Sequence, residues 1–119
     1  MNIYIAHSTQ FDYKNDLYVP IRQSKANKKH KILLPYETNY SPLNIKDFFN
    51  ICDLVIAEIT LPVLEVGIEL GWADTKGIPI KCIYRSETPI SEVFNALTSE
   101  FIEYINFDKK LINYLFSLN

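Results

Sequence analysis

Short apolar, β-rich runs alternate with segments of helical spacing from one end of the chain to the other, and this alternation constrains the fold more than any other feature. Asn2 to Ala6 (NIYIA) reads as a buried strand running into polar His7-Ser8-Thr9-Gln10. A helix is expected from about Asp12 to Asn27, with Pro20 an awkward interior residue and Lys28, Lys29 and Lys31 where a helix dipole favours cations. His30 to Leu34 is a second strand stopped by Pro35, followed by a polar loop and a short helix from about Leu43 to Asn50. Asp53 to Glu58 supplies a third strand, Thr60-Leu61-Pro62 a loop, and Leu64 to Lys76 a helix ending at Gly77. Ile80 to Tyr84, a helix around Ser91 to Leu97, a strand around Phe101 to Ile105 and a helix capped by Asp108 complete the pattern.

Units of about 20 residues fit right-handed crossovers, which place a helix between successive parallel strands and cover both faces of the sheet. The expectation is an α/β, flavodoxin-like, three-layer α/β/α fold with a five-stranded parallel sheet. All 119 residues fit one domain, and no repeat or linker divides them. In such sheets ligands bind beyond the carboxyl ends of the strands where strand order reverses, here the first and third strands. That rule directs attention to His7, Ser8 and the segment after Glu58.

Composition removes several functions. Twelve Lys and Arg against fourteen Asp and Glu leave a net charge of −2, so no basic field exists to hold a nucleic-acid polymer. No stretch of 18 apolar residues suits a membrane span, and the first ten residues lack the pattern of a signal peptide. Cys52 and Cys82, 30 residues apart and outside any Cys/His cluster, fit buried thiols in a reducing cytoplasm. Neither a metal nor a cofactor is expected, because no ligand cluster is visible.

Glu69 lies between apolar neighbours in Ile68-Glu69-Leu70-Gly71-Trp72-Ala73, in the first turns of a helix that starts near the expected crevice. A helix N-terminus favours an anion by roughly 0.3–1 kcal/mol, so Glu69 suits a carboxylate nucleophile; a Glu capping its own helix or pairing with a Lys is the plainer alternative. Asp53 and Glu58 sit at opposite ends of one strand, about 17 Å apart at 3.3 Å per residue, with Glu58 at the crevice end. Tyr4 could offer its hydroxyl to a carboxylate, or could simply pack in the core. His7 and Ser8 could meet a sugar or phosphate, or cap their own loop.

Asp53-Leu-Val-Ile-Ala-Glu-Ile-Thr-Leu-Pro62 followed by Val66-Gly67-Ile68-Glu69-Leu70-Gly71-Trp72-Ala73 resembles the nucleoside 2-deoxyribosyltransferase family and its relatives, the 2'-deoxynucleoside 5'-phosphate N-hydrolases. In that family a strand beginning with Asp leads through a Pro-containing loop into a G-x-E-x-G helix. Tyr4, in Ile3-Tyr4-Ile5, stands at the family's first-strand aromatic. The resemblance implies that Glu69 attacks C1' of a deoxyribosyl group, that Tyr4 orients it, and that Asp53 assists the base or sugar. Place at the crevice gives His7, Ser8 and Glu58 a substrate-binding role, Pro62, Gly67 and Asn95 join them on the resemblance, and Asp53 or Glu58 could supply the acid that helps the base leave; the expected assembly is a homodimer or higher homo-oligomer acting on a small nucleoside or nucleotide. Water resolving the glycosyl-enzyme would give a hydrolase, and a second base a transferase. Val63 and Glu65 depart from the family pattern, losing a hydrogen-bonding residue and adding a negative charge where a 5'-phosphate would lie. A catalytically silent nucleotide-binding or sensing module of the same fold is the alternative, and a purely structural scaffold a third.

Overall fold

Five strands, β1 (Asn2–Ala6), β2 (Lys31–Leu33), β3 (Leu54–Glu58), β4 (Ile80–Arg85) and β5 (Phe101–Tyr104), form one sheet in the computed structural model, which describes residues 1–117. Their order is β2-β1-β3-β4-β5 and every neighbouring pair is parallel. The order reverses between β1 and β3, so the crevice expected from the sequence opens at their carboxyl ends. This is the expected flavodoxin-like three-layer arrangement.

Successive strand side chains point to opposite faces, and the apolar runs fill both. Ile3, Ile5, Leu54, Ile56 and Ile83 face one core, against Leu17, Ile21, Ile112, Leu115 and Phe116. Tyr4, Ala6, Val55, Ala57, Ile80 and Cys82 face the other, against Ile45, Phe49, Val66, Leu70 and Ala73. Both cysteines are buried and free.

The helices α1 (Val19–Arg22), α2 (Ala26–Lys29), α3 (Pro42–Phe48), α4 (Leu64–Thr75) and α5 (Lys109–Leu115) flank the sheet. The single helix expected over Asp12 to Asn27 is instead a π-helical stretch, Lys14–Tyr18, then α1, a break, and α2. Pro20 falls in the first turn of α1, where its missing N–H costs nothing, so it opens that helix instead of interrupting a longer one. The π geometry turns consecutive Leu17 and Tyr18 both inward. Ser91 to Leu97 is likewise a 3₁₀ turn, Glu92–Ala96, and not an α-helix. Asp108 caps α5 as expected, accepting from the Leu111 amide at 2.9 Å. Gly77, with φ of 70°, takes the left-handed conformation that ends α4.

On α4 the buried residues are Val66, Glu69, Leu70 and Ala73, spaced i, i+3, i+4, i+7. That stripe lies against the sheet, so Glu69 is carried into the core by the same periodicity that buries its apolar neighbours.

Candidate active site

Glu69 is 3% exposed, with two phenols beside it. Tyr40, on the loop after β2, donates its hydroxyl to Glu69 Oε2 at 2.9 Å. Tyr4 is wholly buried, with its hydroxyl close enough to feel the Glu69 charge but without a hydrogen bond of good geometry. Burial raises the Glu69 carboxyl to about 7 from an ordinary 4.5, against the opposing pull of the two phenols. The Glu65 charge adds to the rise. At neutral pH the group is therefore divided between acid and carboxylate.

Removing the Tyr40 hydroxyl removes a donor to the charged form. Tyr40→Phe is expected to lift the Glu69 pKa further, read by NMR titration of a carboxyl-labelled sample; a value unchanged or lowered would show that the contact is not made in solution.

A cavity of about 370 Å3 opens at the carboxyl ends of the central strands, lined by His7, Thr9, Gln10, Tyr36, Tyr40, Val63 and Glu65. Glu69 is not in its wall; Tyr40 stands between. Tyr36 and Tyr40 stack at 4.8 Å between ring centroids, 14° from parallel, and give the cavity an aromatic side. Burial pushes the Tyr36 phenol up to about 12 and that of Tyr40 higher, with Glu69 and Glu65 both contributing. A larger concavity, about 740 Å3, runs along edge strand β5 and α5 and is lined by none of these residues.

His7 is buried under four aromatic rings, those of Phe11, Tyr13, Tyr18 and Tyr36. Its Nδ1 lies 2.7 Å from the Ser8 carbonyl and its Nε2 lies 2.6 Å from the Tyr18 hydroxyl. A carbonyl only accepts, so Nδ1 carries the proton and Nε2 accepts from Tyr18, whose oxygen in turn accepts from the Tyr36 amide at 3.0 Å. Burial lowers the His7 pKa and keeps this neutral tautomer. The chain of bonds ties β1 to the π-helical stretch and to the loop that carries Tyr36. Arg22 holds the same loop from outside through a two-pronged contact with Glu37, at 2.8 and 2.6 Å.

The sequence-expected residues divide into several places. Tyr4 and Glu69 come together, with His7 in the adjoining wall. Ser8 is buried, its Oγ accepting from the Gln10 amide at 2.9 Å, which is the loop-capping alternative. Asp53 is not brought to this cluster: β3 starts one residue later, and Asp53 stays exposed at the amino ends of the strands, accepting from the Asn2 amide at 2.8 Å. Strand length places it there, and it makes no contact with the cluster that the role implied by the family resemblance would need.

Glu58 is at the crevice end but projects to the other face of the sheet. It is 3% exposed, and both oxygens are taken by protein donors, the Thr60 amide at 2.7 Å, the Thr60 hydroxyl at 3.0 Å and the Tyr104 hydroxyl. Pro62 and Gly67 line a separate apolar groove of about 390 Å3 between α4 and the 3₁₀ turn, which meets the cavity at Val63. Asn95 is exposed on that turn.

Tyr36, Tyr40 and Tyr18 were not anticipated. The available signal was the pair Tyr36 and Tyr40 in an otherwise polar loop at the carboxyl end of β2, where a binding surface is expected and loop aromatics have little core to fill.

The sheet order and the cavity at its reversal point define a doubly wound α/β domain of flavodoxin-like form. Among solved structures the chain is similar to the Clostridium botulinum CMP N-glycosidase BcmB, with a TM-score of 0.67 and 21% identity over 97% of each chain. It is also similar to a conserved protein from Enterococcus faecalis V583, with a TM-score of 0.58 and 21% identity over 97% of this chain and 87% of that one. At this identity the likeness shows the fold. No family model matches the chain, and no curated protein matches it in sequence. Among the described residues no helix is long and apolar enough to cross a membrane.

Proposed function

We propose that the chain cleaves or exchanges the N-glycosidic bond of a nucleoside or nucleotide through a covalent glycosyl intermediate on Glu69. The observation that carries this reading is a core-facing carboxyl poised at about 7, joined by Tyr40 to an aromatic-walled cavity at the sheet's reversal point. A base stacks on Tyr36 while the sugar approaches α4, and movement of Tyr40 uncovers Glu69 Oε2. The ionised carboxylate attacks C1' as positive charge develops there, and the C1'–N bond breaks. Water or an acceptor base then takes the sugar. The activity named for the similar Clostridium botulinum protein supports the same bond class.

A second reading, a binding module without turnover, is favoured by the shielding of Glu69 behind Tyr40. Release of free base from a panel of nucleosides and their 5'-monophosphates separates the two: Glu69-dependent release supports the enzyme, whereas tight binding without release from any member supports the module.

A further inference from the structure

Resting on that catalytic reading, we infer that the substrate is a nucleoside whose base carries a fixed positive charge at the glycosidic nitrogen, a pyridinium riboside or deoxyriboside being the simplest case, without a 5'-phosphate.

Charge, aromatic lining and the absence of an acid in the cavity lead there. The first is charge. Among the described residues no Lys or Arg lines the cavity, whereas Glu65 does, and Glu69 lies behind the wall. The N-terminus of α4, where a phosphate would otherwise find amide donors, has no side-chain cap from Val63 and carries the Glu65 carboxylate in its first turn. Glu65 is thus the resident anion of that helix end, and a second anion there meets like charge. A cation is attracted by the same field.

The second feature is the wall. Tyr36 and Tyr40, stacked on each other, both line the cavity, and such electron-rich rings attract a cationic base more than its neutral isostere.

The third feature is the missing acid. A neutral purine or pyrimidine leaves poorly unless an acid protonates it, and Thr9 and Gln10, though they line the cavity as hydrogen-bond donors, are not acids. His7 has its one proton on the Ser8 carbonyl and its other nitrogen occupied by Tyr18. Glu58 is sealed on the opposite face, and Asp53 is at the opposite end of the strands. Tyr36 and Tyr40 hold their protons too tightly to act as strong acids. Glu69 cannot be acid and nucleophile at the same moment.

A cationic base needs no proton. Glu69 forms a bond to C1', the C1'–N bond breaks, and its electron pair neutralises the ring nitrogen, so the base departs uncharged. Water then attacks C1', the C1'–O bond to Glu69 breaks, the carboxylate is regenerated, and the proton from water passes to solvent.

The test uses nicotinamide riboside, its neutral 1,4-dihydro form as a near-isostere, nicotinamide mononucleotide, and deoxycytidine. Binding is measured by calorimetry on the Glu69→Gln protein, and base release on wild type. The expected result is that the cation binds about tenfold more tightly than the dihydro form and than the 5'-phosphate, with the preference shrinking severalfold in Glu65→Gln and again at about 1 M salt. Base release from nicotinamide riboside should exceed that from deoxycytidine.

Equal binding of cation and neutral isostere overturns the inference. So does Glu69-dependent release that is as fast from deoxycytidine, a result that leaves the glycosidic activity standing. Selective binding of the cation with no release supports the ligand class and removes the catalytic reading. Absence of both binding and release removes both.

Discussion

Glu69→Gln is expected to abolish base release and, at about pH 8, to leave the protein more stable than wild type by roughly 3 kcal/mol. The sign follows from proton counting. The folded chain holds a proton on Glu69 up to about pH 7, whereas the unfolded chain gives it up near the ordinary value of 4.5. Stability from this group is complete below about 4.5 and is lost as pH rises through about 7. A glutamine has no charge to desolvate and can still accept from Tyr40, so the variant escapes that loss. Urea midpoints should nearly coincide at about pH 4.5 and separate by roughly 1–2 M at about pH 8, taking a slope of about 2 kcal/mol/M. Coincidence at both pH values would show that Glu69 is not buried in solution. Residues that weaken the fold when charged and are spared by a neutral isostere are expected where a site stores reactivity.

Glu58→Ala should have the opposite character, a large loss of stability at the other face of the sheet. Its carboxylate gathers the Thr60 amide, the Thr60 hydroxyl and the Tyr104 hydroxyl. The Thr60 hydroxyl also accepts from the Arg85 amide at 2.9 Å, so Glu58 and Thr60 together tie the carboxyl ends of β3, β4 and β5. Alanine strands the buried Tyr104 hydroxyl at about 1–3 kcal/mol and the two part-buried Thr60 donors at about 1 kcal/mol each, for a total of about 3–5 kcal/mol. The melting temperature should fall by roughly 10–20 °C. Tyr104→Phe removes one donor and leaves the other two paired, so its loss should be well under half as large. Calorimetric melting of the two variants checks the order; a near-neutral Glu58→Ala would return Glu58 to the list of groups free to meet a ligand.

The architecture was legible because both cores read directly from strand alternation. Ile3 and Ile5 go to one face, Tyr4 and Ala6 to the other, and all four are apolar, the pattern of a parallel strand covered twice. The i, i+3, i+4, i+7 stripe of α4 likewise carried Glu69 inward in a way that spacing alone could reveal. The first helix departs from its expected form for a local reason. Apolar spacing cannot distinguish one α-helix from a π stretch followed by two short helices, and Pro20 was the one residue that signalled the break.

The aromatic side of the site was not legible, because it depends on contacts between distant segments. Tyr18 reaches His7 across 11 residues and Tyr40 reaches Glu69 across 29. Glu58 and Glu69 look equivalent as acidic residues near the crevice, yet strand alternation sends one to the Tyr104 face and helix periodicity keeps the other over Tyr4. Asp53 shows a conflict between two kinds of inference. Strand length put it at the far end, the motif put it in the site, and the structure leaves it at the far end with Asn2.

Everything proposed for the site turns on Glu69, as a carboxylate, breaking a glycosidic bond. The most direct measurement is the rate of base release by wild type and Glu69→Ala side by side, from about pH 5 to about pH 9, on whichever nucleoside of the panel is turned over. The wild-type rate should climb with pH to a plateau, with its midpoint at about 7, and a folded Glu69→Ala protein should release no base at any pH. Release that persists without Glu69, or a folded wild type that frees no base from any member, would contradict that role.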